Sequence, residues 1–110
     1  VIWSRRASIL FAVVLAGAGC QDPRGPVSIT SDDPDLKIQA MKQDAVHPRQ
    51  ADTPKLVESL QSDDPAIRFY AVQALRRITH DDFGYRFYDD DDQRAPATAK
   101  WQAWLKKQAR

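Results

Sequence analysis

Eleven residues of this chain recur 31 positions further on. Ser31-Asp32-Asp33-Pro34-Asp35-Leu36-Lys37-Ile38-Gln39-Ala40-Met41 is matched by Ser62-Asp63-Asp64-Pro65-Ala66-Ile67-Arg68-Phe69-Tyr70-Ala71-Val72. The Ser, both Asp, the Pro and the later Ala are identical, and Leu/Ile, Lys/Arg, Ile/Phe and Met/Val are like-for-like. A repeat of this period signals stacked helical units, none of which hides its apolar stripe alone. Each copy also carries the chemistry that opens a helix. Asp33 and Asp64 are placed to accept from the first free N–H groups. Pro34 and Pro65 suit the first helical position, where no N–H bond is needed.

The second copy continues as an amphipathic helix. Ile67, Tyr70, Ala71, Ala74, Leu75 and Ile78 fall at i, i+3, i+4, i+7, i+8 and i+11, one continuous buried stripe. The first copy decays after Ala40, since Gln43 and Asp44 take the places of Ala74 and Leu75. Val46-His47-Pro48 ends it, and Thr53-Pro54 opens a short helix carrying Leu56, Val57 and Leu60. Further on, Asp92 is expected to cap a last helix with Pro96 in its first turn. Ala97, Trp101, Trp104 and Leu105 then share one face, which with Phe83, Tyr85 and Phe87 should seal the end of the core. The fold expected is all-α: a short helical solenoid with a C-terminal capping helix, preceded by a signal helix and a flexible tether.

The pattern Leu56-Val57-x-x-Leu60, then Asp63-Asp64-Pro65-Ala66-Ile67-Arg68, then Ala71 and Ala74-Leu75, resembles a HEAT repeat. One unit, residues 54–79, matches the pattern, and residues 31–45 match a second helix without its partner. The segment from Phe83-Gly84-Tyr85 through the acids to Trp101 and Trp104 is similar to the closing segment of small bacterial HEAT-like proteins. The resemblance implies that the Asp-Pro-x-aliphatic-Arg helix lines the inner face of a superhelix, and that the role is protein–protein contact. It carries no activity with it.

The start of the chain has a different character. Arg5 and Arg6 precede an apolar run over residues 7–19 that ends at Cys20. Basic stretch, short apolar core and small residues form the layout of an export signal. The run falls short of the roughly 20 apolar residues that span a bilayer. Leu15-Ala16-Gly17-Ala18-Gly19-Cys20 resembles a bacterial lipobox, with Gly17 where a larger aliphatic is usual. The expectation is a signal peptide over residues 1–19, lipid on Cys20, a tether over residues 20–31 and a HEAT-like helical domain over residues 32–110. Cys20 is the only cysteine, so it has no internal disulfide partner. Ordinary cleavage leaving a free thiol is the competing reading. Ser4-Arg5-Arg6 is similar in part to a twin-arginine signal, but Ser8 stands where an aromatic or Leu belongs, and general secretion is the expectation.

Charge narrows the partners. The whole chain has 16 Lys and Arg against 15 Asp and Glu. Loss of residues 1–19 would remove Arg5 and Arg6 and no acid, leaving a near-neutral chain without the basic excess of nucleic-acid modules. The acids at positions 81, 82 and 89–92 can be read as a cation site, but they lack the ligand spacing and turn glycine of a calcium loop, and a solvated loop that caps a helix fits better. His47 and His80 stand apart from each other and from Cys20, which argues against zinc. Trp101 and Trp104 could clamp a planar ligand, but their helical spacing places them in the core first. No paired acid and base, nucleophile triad or phosphate loop appears, and the reading is non-enzymatic with no cofactor.

The functional candidates are Phe69, Val72, Gln73 and Arg76, opposite the buried stripe of the main helix, where an aromatic and an arginine make a hot spot. The competing reading packs Phe69 beneath an adjoining repeat. The expected role is a protein–protein scaffold or adaptor, exported and held at a bacterial membrane through Cys20, with another envelope protein as partner. A ligand- or cation-binding accessory protein using the acidic loop and tryptophans is the alternative from another class, and a purely structural envelope component is a third.

Overall fold

The structure, a computed structural model, describes residues 23–109. The expected export signal and Cys20 lie outside them. Among the described residues the chain is all-helical: α1 (Pro34–Val46), a single 3₁₀ turn (Gln50–Asp52), α2 (Thr53–Ser59), α3 (Pro65–Thr79) and α4 (Asp91–Gln108), with no strand.

The two Asp-Asp-Pro openings work alike. Asp33 accepts from the N–H groups of Asp35 and Leu36, and Asp64 from that of Ala66, with Pro34 and Pro65 starting the helices. Ser31 and Ser62 add the same bond one step earlier, each hydroxyl accepting from the N–H of the capping Asp. The helices so opened, α1 and α3, share the largest helix–helix contact, and α2 packs against both α3 and α4. The core forms where these meet. Ala40 and Met41 of α1, Leu56, Val57 and Leu60 of the α2 segment, and Ile67, Ala71, Ala74 and Leu75 of α3 are all buried, with Tyr70 and Ile78 partly so. Burying a side chain of the size of Leu or Met stabilises a fold by about 1.5–3 kcal/mol, so this cluster is the main source of cohesion.

The ends of the helices follow their punctuation. His47 closes α1, giving its N–H to the Gln43 carbonyl. His80 closes α3 in the left-handed region at φ 59°, an uncommon conformation for a residue with a Cβ.

Two expectations need correction. The last helix is capped by Asp90 rather than Asp92: the Asp90 carboxylate accepts from the Gln93 N–H at 2.9 Å. Arg94 reaches back to the Asp89 carbonyl and the Asp91 carboxylate and fixes this earlier start. Pro96 therefore stands in the second turn, inside the helix, where its ring leaves the Asp92 carbonyl without an N–H. The stretch ahead of α1 is also less slack than its Pro and Gly content suggests. It has no helix, yet Ile29 is buried in the core cluster and Arg24 pairs with Asp33 and Asp35.

The C-terminal seal is built from the expected residues. Trp101 is buried, with Ala97 beside it and Trp104 and Leu105 partly buried. Its ring meets Phe83 edge-on at 4.5 Å and Trp104 at 5.5 Å, and its Nε1 donates to the Asp82 carbonyl. Tyr85 is buried and its hydroxyl donates to the Leu60 carbonyl at 2.6 Å. The loop between α3 and α4 is thereby pinned to both α2 and α4.

Candidate functional site

The face of α3 that carries the sequence candidates is partly covered. Val72 belongs to the core, at 5 % exposure, and forms part of the base of a recess on this face. One turn of helix sets it beside Leu75 rather than opposite, and it lines the recess between α3 and the α3–α4 loop. Phe69 is half-buried. Its ring lies edge-on to Tyr70 and to Phe87, both at 5.0 Å, so loop rather than a neighbouring repeat packs against it. Gln73 is half-buried and Arg76 is exposed.

The α3–α4 loop adds residues that spacing along one helix did not reveal. Phe69, Gln73 and Arg76 line a recess of about 310 Å³ together with Arg86, Phe87 and Tyr88. Tyr88 is 67 % exposed and continues the ring series, 5.3 Å edge-on from Phe87. A second hollow, lined by Ala45, Gln73, Arg76, Arg77 and His80, shares Gln73 and Arg76 with the first. The two form one strip across α3. Lys42 of α1 lies 4.9 Å from the centre of the Tyr70 ring, within the range of a cation–π contact. The signal for the loop's share was the aromatic series Phe83, Tyr85, Phe87 and Tyr88. Alternation along 83–88 sends Phe83, Tyr85 and Phe87 inward and Tyr88 outward, and the turn at residues 86–89 holds Tyr88 there.

Loop chemistry accounts for several acids. Asp81 accepts from the Phe83 N–H and Asp82 from the Gly84 N–H, each at 2.8 Å. These two bonds hold the sharp reversal in which Phe83 and Gly84 both have positive φ, at 53° and 78°. Asp90 caps α4 and Asp91 pairs with Arg94. Among the described residues no group of three or more His, Cys, Asp or Glu is arranged to hold a metal ion. His47 and His80 close different helices.

Arg68, the arginine of the repeat motif, is buried and structural. Its Nε donates to the Phe87 carbonyl at 2.9 Å and its Nη1 to the Ser62 carbonyl at 2.7 Å. It thus ties the α2–α3 turn to the loop that presents Tyr88. Burial pushes the Tyr85 phenol above its ordinary value of 10.0, against the opposing charges of Arg94 and Arg68.

The buried charge lies at the other end of the molecule. Asp44, 0 % exposed, stands where the second copy has Leu75. Its Oδ1 accepts from Arg49 Nε at 2.8 Å, and Arg49 also reaches Asp52 and the Ala40 carbonyl. Its Oδ2 accepts no hydrogen bond from the protein. Burial pushes the Asp44 carboxyl above its ordinary value of 3.8, against the lowering effect of Arg49 and with help from the nearby Asp52. The Arg49 guanidinium is in turn raised by its bond to Asp44.

A pH dependence follows from Asp44. The folded chain holds this proton at a pH where the unfolded chain has released it, so stability falls as pH rises through the folded value. Asp44 is least favourable at neutral pH and improves on acidification down to 3.8, below which its contribution is flat. Asp44→Asn imitates the protonated form. It should raise the urea midpoint at neutral pH, with a gain that shrinks toward pH ~4. A variant equally destabilised at both pH values would refute this account.

Among the described residues no helix is long and apolar enough to cross a membrane. In comparison with known proteins, the chain matches no family model, no curated protein and no solved structure.

Proposed function

We propose that this chain is a lipid-anchored, HEAT-like module that serves as a scaffold or adaptor for another protein of a bacterial envelope. The observation that carries the reading is the side-by-side packing of α1 and α3, the two helices opened by the duplicated Asp-Asp-Pro segments. Duplicated helices that share one core are the elementary step of a solenoid, and solenoids present extended surfaces for other proteins. The lipobox-like segment ending at Cys20 supports the anchor, since acyl chains on one residue give stable membrane attachment when two or more are present. The strip around Phe69, Gln73 and Arg76 is the contact surface in this reading, with Val72 supporting it from beneath.

The test is photo-crosslinking in cells from a probe placed at Phe69 or Arg76 of the full chain. A discrete adduct from either position, absent with the probe at the exposed Lys100 on α4, is the expected result. Repeated recovery of the uncrosslinked chain alone would remove the scaffold reading. Metabolic labelling with a fatty acid analogue, lost on Cys20→Ala, tests the anchor separately.

A further inference from the structure

We infer that the strip across α3 takes a short acidic peptide segment of a partner protein, one that sets carboxylates beside an aromatic or branched aliphatic side chain. The inference rests on the scaffold reading and names the chemistry of its partner.

The arginines of the described residues divide into two groups. Arg24 holds carboxylates, Arg49 holds two carboxylates and the Ala40 carbonyl, Arg68 holds two carbonyls, and Arg94 holds one of each. The guanidinium groups of Arg76, Arg77 and Arg86 make no hydrogen bond or ion pair among the described residues. These three converge on the two hollows that share Gln73 and Arg76. Arg76 and Arg77 sit in the last turn of α3, where cations suit the negative helix end. That accounts for neither Arg86, which comes from the loop, nor the outward Tyr88 beside it.

Guanidinium groups recognise carboxylates through paired, charge-assisted hydrogen bonds. The ring series Phe69, Phe87 and Tyr88 supplies an apolar floor between them. Arginine and tyrosine together, around a recess with a half-buried aromatic, have the composition of an interface hot spot. The acids nearby decide the shape of the partner. Asp82 lines the recess itself, and Asp89, Asp90, Asp91 and Asp92 directly follow Tyr88. A flat anionic bilayer or a polyphosphate chain would meet these acids as well as the arginines. A short segment laid along the hollows meets three guanidinium groups against Asp82 as the one acid of their lining.

Peptide display selection against the full chain in an uncharged detergent tests this, followed by fluorescence anisotropy with the selected peptides. The expected peptides combine Asp or Glu with a neighbouring aromatic or aliphatic residue. Arg76→Ala and Arg86→Ala should each weaken binding about tenfold, and added salt should weaken it further. The double change Lys106→Ala with Lys107→Ala, on exposed positions at the far end of α4, should leave binding unchanged. The exposed arginines have no internal bonds to lose, and Arg76 gives up only its favourable place at the helix end, so melting temperature should stay near the parent value. Selected peptides without acids, or affinities indifferent to both arginine changes, overturn the inference. So does binding to phosphatidylglycerol vesicles that the arginine changes abolish, which would make the surface lipid-facing. If crosslinking from Phe69 captures a partner while the selected peptides are not acidic, the inference falls and the scaffold stands. If crosslinking and selection both return nothing, both fall.

Discussion

Trp101→Ala should be the most damaging single change to this fold, removing a large part of its stability and bringing a marginal domain close to unfolding. The indole is 0 % exposed and touches the structure in three ways: edge-on to Phe83, edge-on to Trp104, and through Nε1 to the Asp82 carbonyl. Truncating a buried aromatic to Ala costs about 3–5 kcal/mol, and a small domain has only about 5–15 kcal/mol in total. The Asp82 carbonyl would also lose its donor. A urea titration followed by far-ultraviolet circular dichroism reads the result. Trp101→Phe keeps much of the packing and drops the hydrogen bond, so it should lie between the parent and the Ala variant. A Trp101→Ala chain with the parent's midpoint would mean that α4 does not close the core.

Arg68→Ala should have the second largest effect, about 3 kcal/mol. The change removes two charge-assisted bonds to the carbonyls of Ser62 and Phe87. Those carbonyls join separate parts of the chain, the turn before α3 and the loop after it. Arg68→Lys should recover little, because a point charge does not span two carbonyls held by a planar fork. Amide hydrogen exchange separates this from general loosening. Protection should fall first across residues 83–90 and the Asp-Asp-Pro turn, with α1 following only at the global unfolding rate. Uniform loss of protection along the chain would show that Arg68 is one more core residue rather than a clamp.

The repeat made much of the fold legible before any coordinates. Asp33 and Asp64 cap their helices because a carboxylate ahead of proline is a local device, satisfied within three residues. The stripe on α3 was legible for the same reason, since a period of 3.6 fixes which side chains share a face. The misplaced start of α4 marks where local rules stop. Four consecutive aspartates offer four equivalent caps, and the choice falls to Arg94, whose bonds to Asp89 and Asp91 come from within the helix itself. Asp44 was visible as a departure from the repeat, but its burial was not. Only the return of Arg49 across the chain turn makes a charged group tolerable at a position designed for Leu.

The candidate surface was half legible. Phe69, Gln73 and Arg76 share a helix, so their proximity follows from spacing. Arg86 and Tyr88 reach the same place through a loop whose course depends on Asp81, Asp82 and a left-handed Phe83. Val72 lines the same recess but lies deeper than spacing alone suggests, because a helix wrapped by its own following loop has a wider buried face than one packed on a single side.

Ile29 has one more consequence. If the chain is cut ahead of Cys20, docking through Ile29 and the hold on Arg24 would leave almost no leash. If Cys20 carries acyl chains, three peptide links join it to Pro23, and they reach at most about 11 Å however they are arranged. The body would then ride low on the bilayer with a fixed tilt, instead of sweeping a wide hemisphere. Any companion would have to arrive sideways, within the same thin layer of solvent above the headgroups.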